Sequence, residues 1–192
     1  MICKVINYQT GNIYSVISAL DNLGLKSTVI SSVNDLNVND IVILPGVGSF
    51  DTAASNLSDG GFYEHDFVNN RNKVIGICLG FHLMCLDSEE GNLSGLGLLP
   101  VHVRDLKGSV EPTLHLGWSY VSSNVDAFRD KHYFCHRFYV GENDYSLAYT
   151  NRSGNRVSNV VRKDNFWGIQ SHPERSGSKG LLLLKEIFQI ES

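Results

Sequence analysis

The first half of the chain alternates short apolar runs with segments whose apolar residues recur every three or four positions. A run of the first kind predicts a buried strand, and a segment of the second kind predicts a helix with one face in the core. Strands are expected at residues 2–6, 27–30, 41–44 and 74–78, with helices at 13–23, within 50–70 and up to residue 86. Repeated strand–helix units imply a parallel sheet covered on both faces, and such sheets bind ligands at the carboxyl ends of their strands.

From Gly91 onward the pattern changes, because glycines and Pro100 interrupt the chain and shorter apolar runs follow. Runs of this kind, bounded by turn residues, are typical of antiparallel hairpins. Strands are expected at residues 101–104, 119–122, 133–140, 146–150, 157–162 and 166–170, and a last helix at 180–190. No linker, repeat or low-complexity tract divides the sequence. Residues 1–192 are therefore expected to form one α/β domain, a parallel core sheet with flanking helices and an antiparallel extension in its C-terminal half.

The composition excludes several classes of protein. With 192 residues, 42% hydrophobic and 19% charged, the chain can bury a core without disulfides or metal. A net charge of −4 and the lack of a Lys/Arg cluster argue against a nucleic-acid or anionic-membrane partner. The first residues run into a strand without a signal-peptide pattern, and no apolar run approaches the roughly 18 residues of a membrane span, so a cytoplasmic protein is expected. The four cysteines form no C-x-x-C pair, which predicts free thiols and no zinc site.

The segment V-I-G-I-C-L-G-F-H-L, residues 74–83, places Cys78 where a strand pattern changes into a helix pattern. Gly76 and Gly80 flank the cysteine and permit a tight turn that exposes its side chain, which is the pattern of a nucleophile elbow. The N-terminus of the following helix favours a thiolate over a thiol. The alternative is a buried structural cysteine, which is the commoner role of a free cysteine.

A cysteine nucleophile needs a base, and the base needs a group that orients its ring. The segment I-Q-S-H-P-E provides His172 at the end of a predicted strand and Glu174 two residues later. A lone histidine is more often a surface or core residue, but this position after a strand favours the catalytic interpretation.

A third element is the turn Pro45–Gly48 after the strand at 41–44. It lacks the lysine of a P-loop, so it is either an ordinary turn or a set of backbone N–H groups aimed at an oxyanion. With Cys78 and His172 it completes the requirements of acyl transfer.

Together, G-I-C-L-G, H-P-E and P-G-V-G resemble the class I (triad) glutamine amidotransferases, whose glutaminase domain has a flavodoxin-like α/β fold. Further motifs are similar to the glutaminase subunits of imidazole glycerol phosphate synthases: G-N-I-x-S-V at residues 11–16, P-G-V-G-S-F at 45–50, H-L-G-W at 115–118 and H-P-E-R-S-G at 172–177. The similarity covers essentially the whole chain.

This resemblance implies that Cys78 is the nucleophile, His172 the general base and acid, and Glu174 its orienting carboxylate. It implies oxyanion or substrate-binding positions at Gly46, Val47, Gly48, Leu79, Gly80, His82, His136 and Arg137. Asn12, Trp118 and Arg175 are implied to face a partner, a cyclase or synthase subunit of the (β/α)8 type that forms a heterodimer. No metal or organic cofactor is implied.

The sequence departs from this family at three places near the expected site. His82 replaces the usual glutamine four residues after the nucleophile, Asn7 replaces an aspartate, and His136-Arg137-Phe138 replaces His-Ser-Tyr. Three interpretations of His82 stay open: a hydrogen bond to the substrate, a second base that favours the thiolate, or a weakened, partner-dependent glutaminase. Arg137 is expected to bind either the substrate carboxylate or a nearby acid.

The resemblance implies that L-glutamine is hydrolysed to glutamate and ammonia through a cysteine thioester, with the ammonia passing to the partner, as in histidine biosynthesis. One alternative is a related subunit that supplies ammonia for sugar amidation in surface-polysaccharide synthesis. Another is a degenerate glutaminase kept as a binding subunit. A cysteine hydrolase or chaperone with an elbow cysteine is a further possibility, but it would require neither H-P-E-R-S-G nor a partner surface.

Overall fold

The computed structural model describes residues 2–9, 12–106, 113–152 and 154–189. The helices are α1 (Ile13–Asn22), α2 (Phe50–Asp59), α3 (Glu64–Asn69), α4 (Leu79–Met84) and α5 (Gly177–Phe188). The strands of the first half are β1 (Ile2–Ile6), β2 (Lys26–Ile30), β3 (Ile41–Leu44), β4 (Lys73–Ile77) and β5 (Asp87–Ser88). Those of the second half are β6 (His102–Asp105), β7 (His115–Ser123), β8 (Asp130–His136), β9 (Phe138–Tyr139), β10 (Ser146–Arg152), β11 (Asn155–Lys163) and β12 (Phe166–Ile169). Gly11 of the first motif and Ile190, the expected end of the last helix, lie outside the described residues.

Nine strands form one mixed sheet in the order β2-β1-β3-β4-β12-β11-β10-β7-β8. The strands from β2 to β12 are parallel, and the pairs from β12 to β8 are antiparallel. The expected α/β class, with its antiparallel extension, is therefore confirmed. The extension continues the same sheet, because β12 pairs in parallel with β4 and antiparallel with β11.

The parallel half of the sheet is buried on both faces. Along β3, Val42 and Leu44 pack with α2 and α4, whereas Ile41 and Ile43 pack with α1 and α5. This alternation explains why the strand is apolar throughout. Helix α1 ends as expected, since Gly24 has a φ of +72° and its N–H bonds the Asp21 carbonyl.

Most expected strands have observed bounds within one or two residues of the prediction, and two differ by more. Strand β7 begins at His115 rather than at residue 119, and the single strand expected at 133–140 is divided into β8 and β9. The division falls at Arg137, where the chain leaves its pairing with β7 and β9 pairs instead with β6. A run of apolar residues does not specify which strand it will pair with, so the sequence pattern could not show this change of partner.

Candidate active site

The site forms where three neighbouring parallel strands end. Strands β3, β4 and β12 lie side by side, and their carboxyl ends lead into the turn Pro45–Gly48, into Cys78 and into the segment before His172. The Cys78 N–H donates to the Ile169 carbonyl at 2.7 Å, which links the ends of β4 and β12. Parallel pairing thus brings together residues that lie up to 127 positions apart in the sequence, from Pro45 to His172.

Cys78 occupies a strained turn between β4 and α4. Its φ of 50° and ψ of −105° are unusual for a residue with a side chain, and such strain is typical of a nucleophile elbow. A side chain at Gly76 would collide with the Gly80 carbonyl, and one at Gly80 would collide with the Leu44 carbonyl. These close backbone contacts explain why the two flanking residues are glycines.

His172 and Glu174 form a buried pair directly after β12. The Nδ1 atom of His172 lies 2.7 Å from Glu174 Oε1, and the two side chains are 1% and 4% exposed. Burial lowers the pKa of His172, but the interactions of its ring with the nearby Cys78 sulfur and the Glu174 carboxylate outweigh burial and raise the pKa to about 10. The Nε2 atom has no hydrogen-bond partner among the described residues, so it is available to exchange a proton with the neighbouring sulfur.

Cys78 opens into a cavity of about 310 Å³, which suits a small molecule. The cavity is lined by Gly46, Val47, Gly48, Cys78, Leu79, His82, Glu90, Leu114, Cys135, His136, Arg137 and Phe138. Seven of the eight expected oxyanion or substrate positions are in this wall. The eighth, Gly80, packs against the Leu44 backbone instead. His172 and Glu174 also lie outside the wall.

His82 is hydrogen-bonded inside the protein. Its Nε2 lies 3.0 Å from Gln170 Oε1, and the Gln170 amide nitrogen lies 3.9 Å from Cys78 Sγ. Burial lowers the pKa of His82 to about 4, although the bond to Gln170 opposes this, so the ring is uncharged at neutral pH. An uncharged ring that donates to Gln170 disfavours the interpretation of His82 as a second base.

His136 forms part of the cavity wall, but both of its ring nitrogens have partners in the protein. Nδ1 lies 2.9 Å from the Phe138 carbonyl, and Nε2 lies 2.9 Å from His115 Nδ1. His136 therefore presents only its ring to the cavity, and it has no free nitrogen for a substrate.

Arg137 binds a nearby acid, which was one of its two expected partners. Its Nε and Nη2 atoms donate to the Asp105 carboxylate at 2.8 and 2.6 Å. The guanidinium remains 46% exposed and still borders the cavity.

The sequence reasoning missed two polar residues of the site, Glu90 and Gln170. Glu90 borders the cavity and accepts the Phe50 N–H at 3.2 Å, and burial raises the pKa of its carboxyl. The adjacent acids of Ser88-Glu89-Glu90-Gly91, just after an apolar helix, were the available signal for Glu90. Gln170 lies two residues before His172, inside the motif itself.

Two of the three expected partner-facing residues share a surface patch of Trp118, Tyr133 and Arg175. The Arg175 guanidinium lies 4.5 Å from the Tyr133 ring centre, and Trp118 meets that ring edge-on at 6.0 Å. Trp118 is 56% exposed. Asn12 is not in the patch; its side-chain oxygen accepts the Ser15 N–H and caps α1.

We found no second reaction site among the other cavities, cysteines and metal-binding side chains of the described residues. A larger cavity of about 420 Å³ beside α2 contains none of Cys78, His172 and Glu174. All four cysteines are free thiols. Within the described ranges, no group of three or more metal-binding side chains is close enough to hold an ion, and no helix has the length and apolarity to cross a bilayer.

A cysteine on a strand-to-helix elbow, a histidine–carboxylate pair behind it and a small cavity in front form the arrangement that cysteine-nucleophile acyl-transfer enzymes require. The family model described as "Glutamine amidotransferase class-I" matches residues 4–189, and the chain belongs to this family. It is therefore a glutamine amidotransferase.

Within this family, the chain is similar to curated relatives of one kind. Subunit HisH of imidazole glycerol phosphate synthase from Bacteroides fragilis is 38% identical, over 97% of this chain and 98% of the relative. The subunit of the same name from Staphylococcus aureus is 34% identical, over 96% of this chain and 95% of the relative. These names favour ammonia supply to an imidazole glycerol phosphate synthase over ammonia supply for sugar amidation.

Solved structures support the fold. A glutamine amidotransferase crystal structure has a TM-score of 0.76 at 16% identity and covers 97% of each chain. The PurLQS structure from Thermotoga maritima has a TM-score of 0.73 at 18% identity, covering 98% of this chain and 97% of the other.

Proposed function

We propose that this protein is the glutamine-hydrolysing subunit of an imidazole glycerol phosphate synthase, which releases ammonia for a partner synthase subunit. The observation that carries the proposal is the position of Cys78, between the buried His172–Glu174 pair and a cavity of about 310 Å³. Near-complete coverage of relatives with this name supports the choice of pathway.

In the first half of the reaction, the Cys78 sulfur attacks the side-chain amide carbon of L-glutamine. A carbon–sulfur bond forms, and the carbonyl electrons move to the oxygen. His172, protonated at neutral pH, transfers the Nε2 proton to the departing nitrogen as the carbon–nitrogen bond breaks. The products of this step are ammonia and a thioester on Cys78. Glu174 keeps the proton-transferring nitrogen directed at the sulfur by holding Nδ1.

In the second half, water attacks the thioester and His172 accepts its proton. The carbon–sulfur bond breaks, which releases glutamate and restores the cysteine. Backbone N–H groups stabilise the oxyanion in both halves, and we assign this role to Val47 and Leu79 in the cavity wall. The N–H of Leu79 lies in the first turn of α4, where no intrahelical acceptor exists.

The charges of the cavity wall suit a zwitterionic amino acid. Glu90 is placed to receive the α-ammonium group, and Arg137 is placed to receive the α-carboxylate while it remains bound to Asp105. Gln170, fixed by His82, donates its amide N–H toward the sulfur and favours the negative charge there.

A partner must receive the ammonia, and the patch of Trp118, Tyr133 and Arg175 is our candidate for its docking surface. We propose a (β/α)8 synthase subunit in a heterodimer, a cytoplasmic location, and one glutaminase domain over the whole chain. The reaction uses no metal or organic cofactor.

The test measures glutamate release from glutamine by the chain alone, with its synthase partner, and with partner plus acceptor ligand. We expect release that requires the partner and increases with the acceptor. The matched variants are Cys78→Ala, which removes the nucleophile, and Cys135→Ser, which removes the exposed thiol but keeps the carbonyl near Cys78.

A glutamine-analogue electrophile should label Cys78, and the labelling should persist in Cys135→Ser, since the remaining cysteines Cys3 and Cys85 are fully buried. No release under any condition, together with an unlabelled Cys78, would show that the chain is not a working glutaminase. Equal rates for the wild type and Cys78→Ala would remove the nucleophile assignment. Release that depends on an aminated-sugar synthase, and not on a histidine-pathway synthase, would reassign the pathway.

A further inference from the structure

A chain of hydrogen bonds runs from Ser119 through His115 to His136 in the cavity wall. The Ser119 Oγ atom lies 2.7 Å from His115 Nε2, and His115 Nδ1 lies 2.9 Å from His136 Nε2. His136 Nδ1 lies 2.9 Å from the Phe138 carbonyl, which ends the chain. Gly117, which lies between His115 and Ser119 on β7, has a φ of +112°.

The Phe138 carbonyl at one end, together with the uncharged state of both rings, fixes the direction of every bond in the chain. A carbonyl oxygen can only accept, so His136 carries its proton on Nδ1. An uncharged His136 then has a lone pair on Nε2, and His115 must donate to it from Nδ1. His115 Nε2 is left with a lone pair, which accepts the Ser119 hydroxyl. Each ring therefore has one defined tautomer.

Both rings are uncharged at neutral pH. Burial lowers the pKa of His136 well below its usual range, and the neighbouring His115, His82 and His172 lower it further, while the bond to Phe138 opposes this. Burial, aided by the positive charge of Arg152 on β10, lowers the pKa of His115 to about 4. His136 is thus faced by titratable groups from β7, α4 and the segment after β12.

We propose that His115 is a positioning residue of the glutaminase reaction. By donating its Nδ1–H to His136, it holds the His136 ring in one orientation and one uncharged tautomer in the wall of the Cys78 cavity. This inference rests on the proposed function, and neither His115 nor Ser119 touches the cavity.

The hydrogen bond from His115 to His136 has two consequences for the reaction. It occupies the last free nitrogen of His136, so that residue cannot take a proton meant for His172 or compete for the thiol. It also fixes the end of β8, where the Cys135 carbonyl lies 3.9 Å from Cys78 Sγ. Stacking of the His115 ring on Phe134, with centres 4.3 Å apart, holds the donor in place.

The first experiment reads the tautomer without reference to activity. Nitrogen-15 NMR of the histidine rings, with His136 assigned from the spectrum of His136→Asn, should show His136 protonated on Nδ1 alone between pH 5.5 and 7.5. In His115→Leu we expect a mixture of tautomers and a higher titration midpoint for His136. His115→Asn keeps an N–H at the position of Nδ1 and should restore the single tautomer.

The second experiment measures glutamate release with the partner and acceptor present. His115→Leu should lower kcat about tenfold with a smaller effect on KM, since a buried acceptor loses its donor. His115→Asn should recover most of kcat. His132→Leu is the control, because His132 is a fully buried histidine on β8 that lies outside the cavity wall. It should alter stability without the tenfold loss of kcat expected for His115→Leu.

A wild-type His136 protonated on Nε2, or equal kcat values for His115→Leu and His115→Asn, would overturn the inference. A wild type that releases no glutamate would contradict the proposed function instead, and the NMR experiment would still decide the state of His136.

Discussion

The ring of His82 donates to the side-chain oxygen of Gln170 at 3.0 Å, and this bond directs the Gln170 amide toward the sulfur of Cys78. His82, one of the three places where this sequence departs from the family pattern, therefore supports another side chain of the site. His82 still borders the cavity.

Substitution of His82 tests this support. His82→Gln should preserve or raise kcat, because a glutamine amide can also donate to Gln170 Oε1. His82→Leu should lower kcat about tenfold, because the Gln170 oxygen would be buried without a donor. Steady-state glutaminase kinetics distinguish the two variants, and equal rates for both would show that Gln170 needs no support.

Acid should destabilise the protein through its buried histidines. His82 has a pKa of about 4 in the folded state and about 6.5 when unfolded. Its uncharged form therefore contributes stability that is complete above pH 6.5 and is lost as the pH falls toward 4. At pH 5 this loss amounts to about 2 kcal/mol for His82 alone.

Urea unfolding at pH 7 and pH 5 measures this effect. The drop in the free energy of unfolding should be smaller in His82→Gln than in the wild type. Substitution of the exposed His65 by glutamine is the control and should leave the drop unchanged.

Glu174→Gln should reduce kcat by about a hundredfold or more, because the ring of His172 loses the charge that orients it and holds its proton. The variant should also change the response to alkali. The pKa of His172 is raised to about 10 in the folded protein. Its stabilising contribution is therefore complete below pH 6.5 and is lost as the pH rises from there through about 10.

Unfolding measured at pH 7 and pH 9 should show a shallower decline for Glu174→Gln than for the wild type. Glu142→Gln removes an exposed carboxylate that binds Arg156, and it provides the comparison. Identical declines in the wild type and Glu174→Gln would mean that Glu174 does not hold the proton on His172.

Arg137→Ala should raise KM for glutamine about fivefold to tenfold with little change in kcat, because a carboxylate contact remote from the reacting amide is made equally in ground and transition states. The matched control is Arg104→Ala. Arg104 is also an exposed arginine paired with an acid, Glu89, but it lies outside the cavity wall. A KM increase of the same size in both variants would indicate a general charge effect.

Trp118→Ala should weaken partner binding by about tenfold or more, because exposed aromatic side chains are frequent hot spots of interfaces. Titration calorimetry with the synthase subunit measures the affinity. Tyr63→Ala, which removes an exposed aromatic residue at the N-cap of α3, is the control. Equal affinities for the two variants would place the docking surface elsewhere.

The sequence by itself determined the class of fold and predicted the three residues that we propose carry the reaction, Cys78, His172 and Glu174. Apolar runs specify buried parallel strands, and the glycines around Cys78 are required by backbone contacts that leave no room for a side chain. The turn after β3, the elbow after β4 and the histidine after β12 could be grouped because each follows a strand of one parallel sheet.

Only the tertiary structure decided which polar atoms meet. The sequence could not show that β8 and β9 separate at Arg137, that Arg137 binds Asp105, or that both nitrogens of His136 are occupied. Spacing along a chain fixes the face on which a side chain lies, whereas hydrogen bonds depend on strand order and register between distant segments. His82 was therefore identified from the sequence as the unusual residue, and its bond to Gln170, 88 positions away, required the fold.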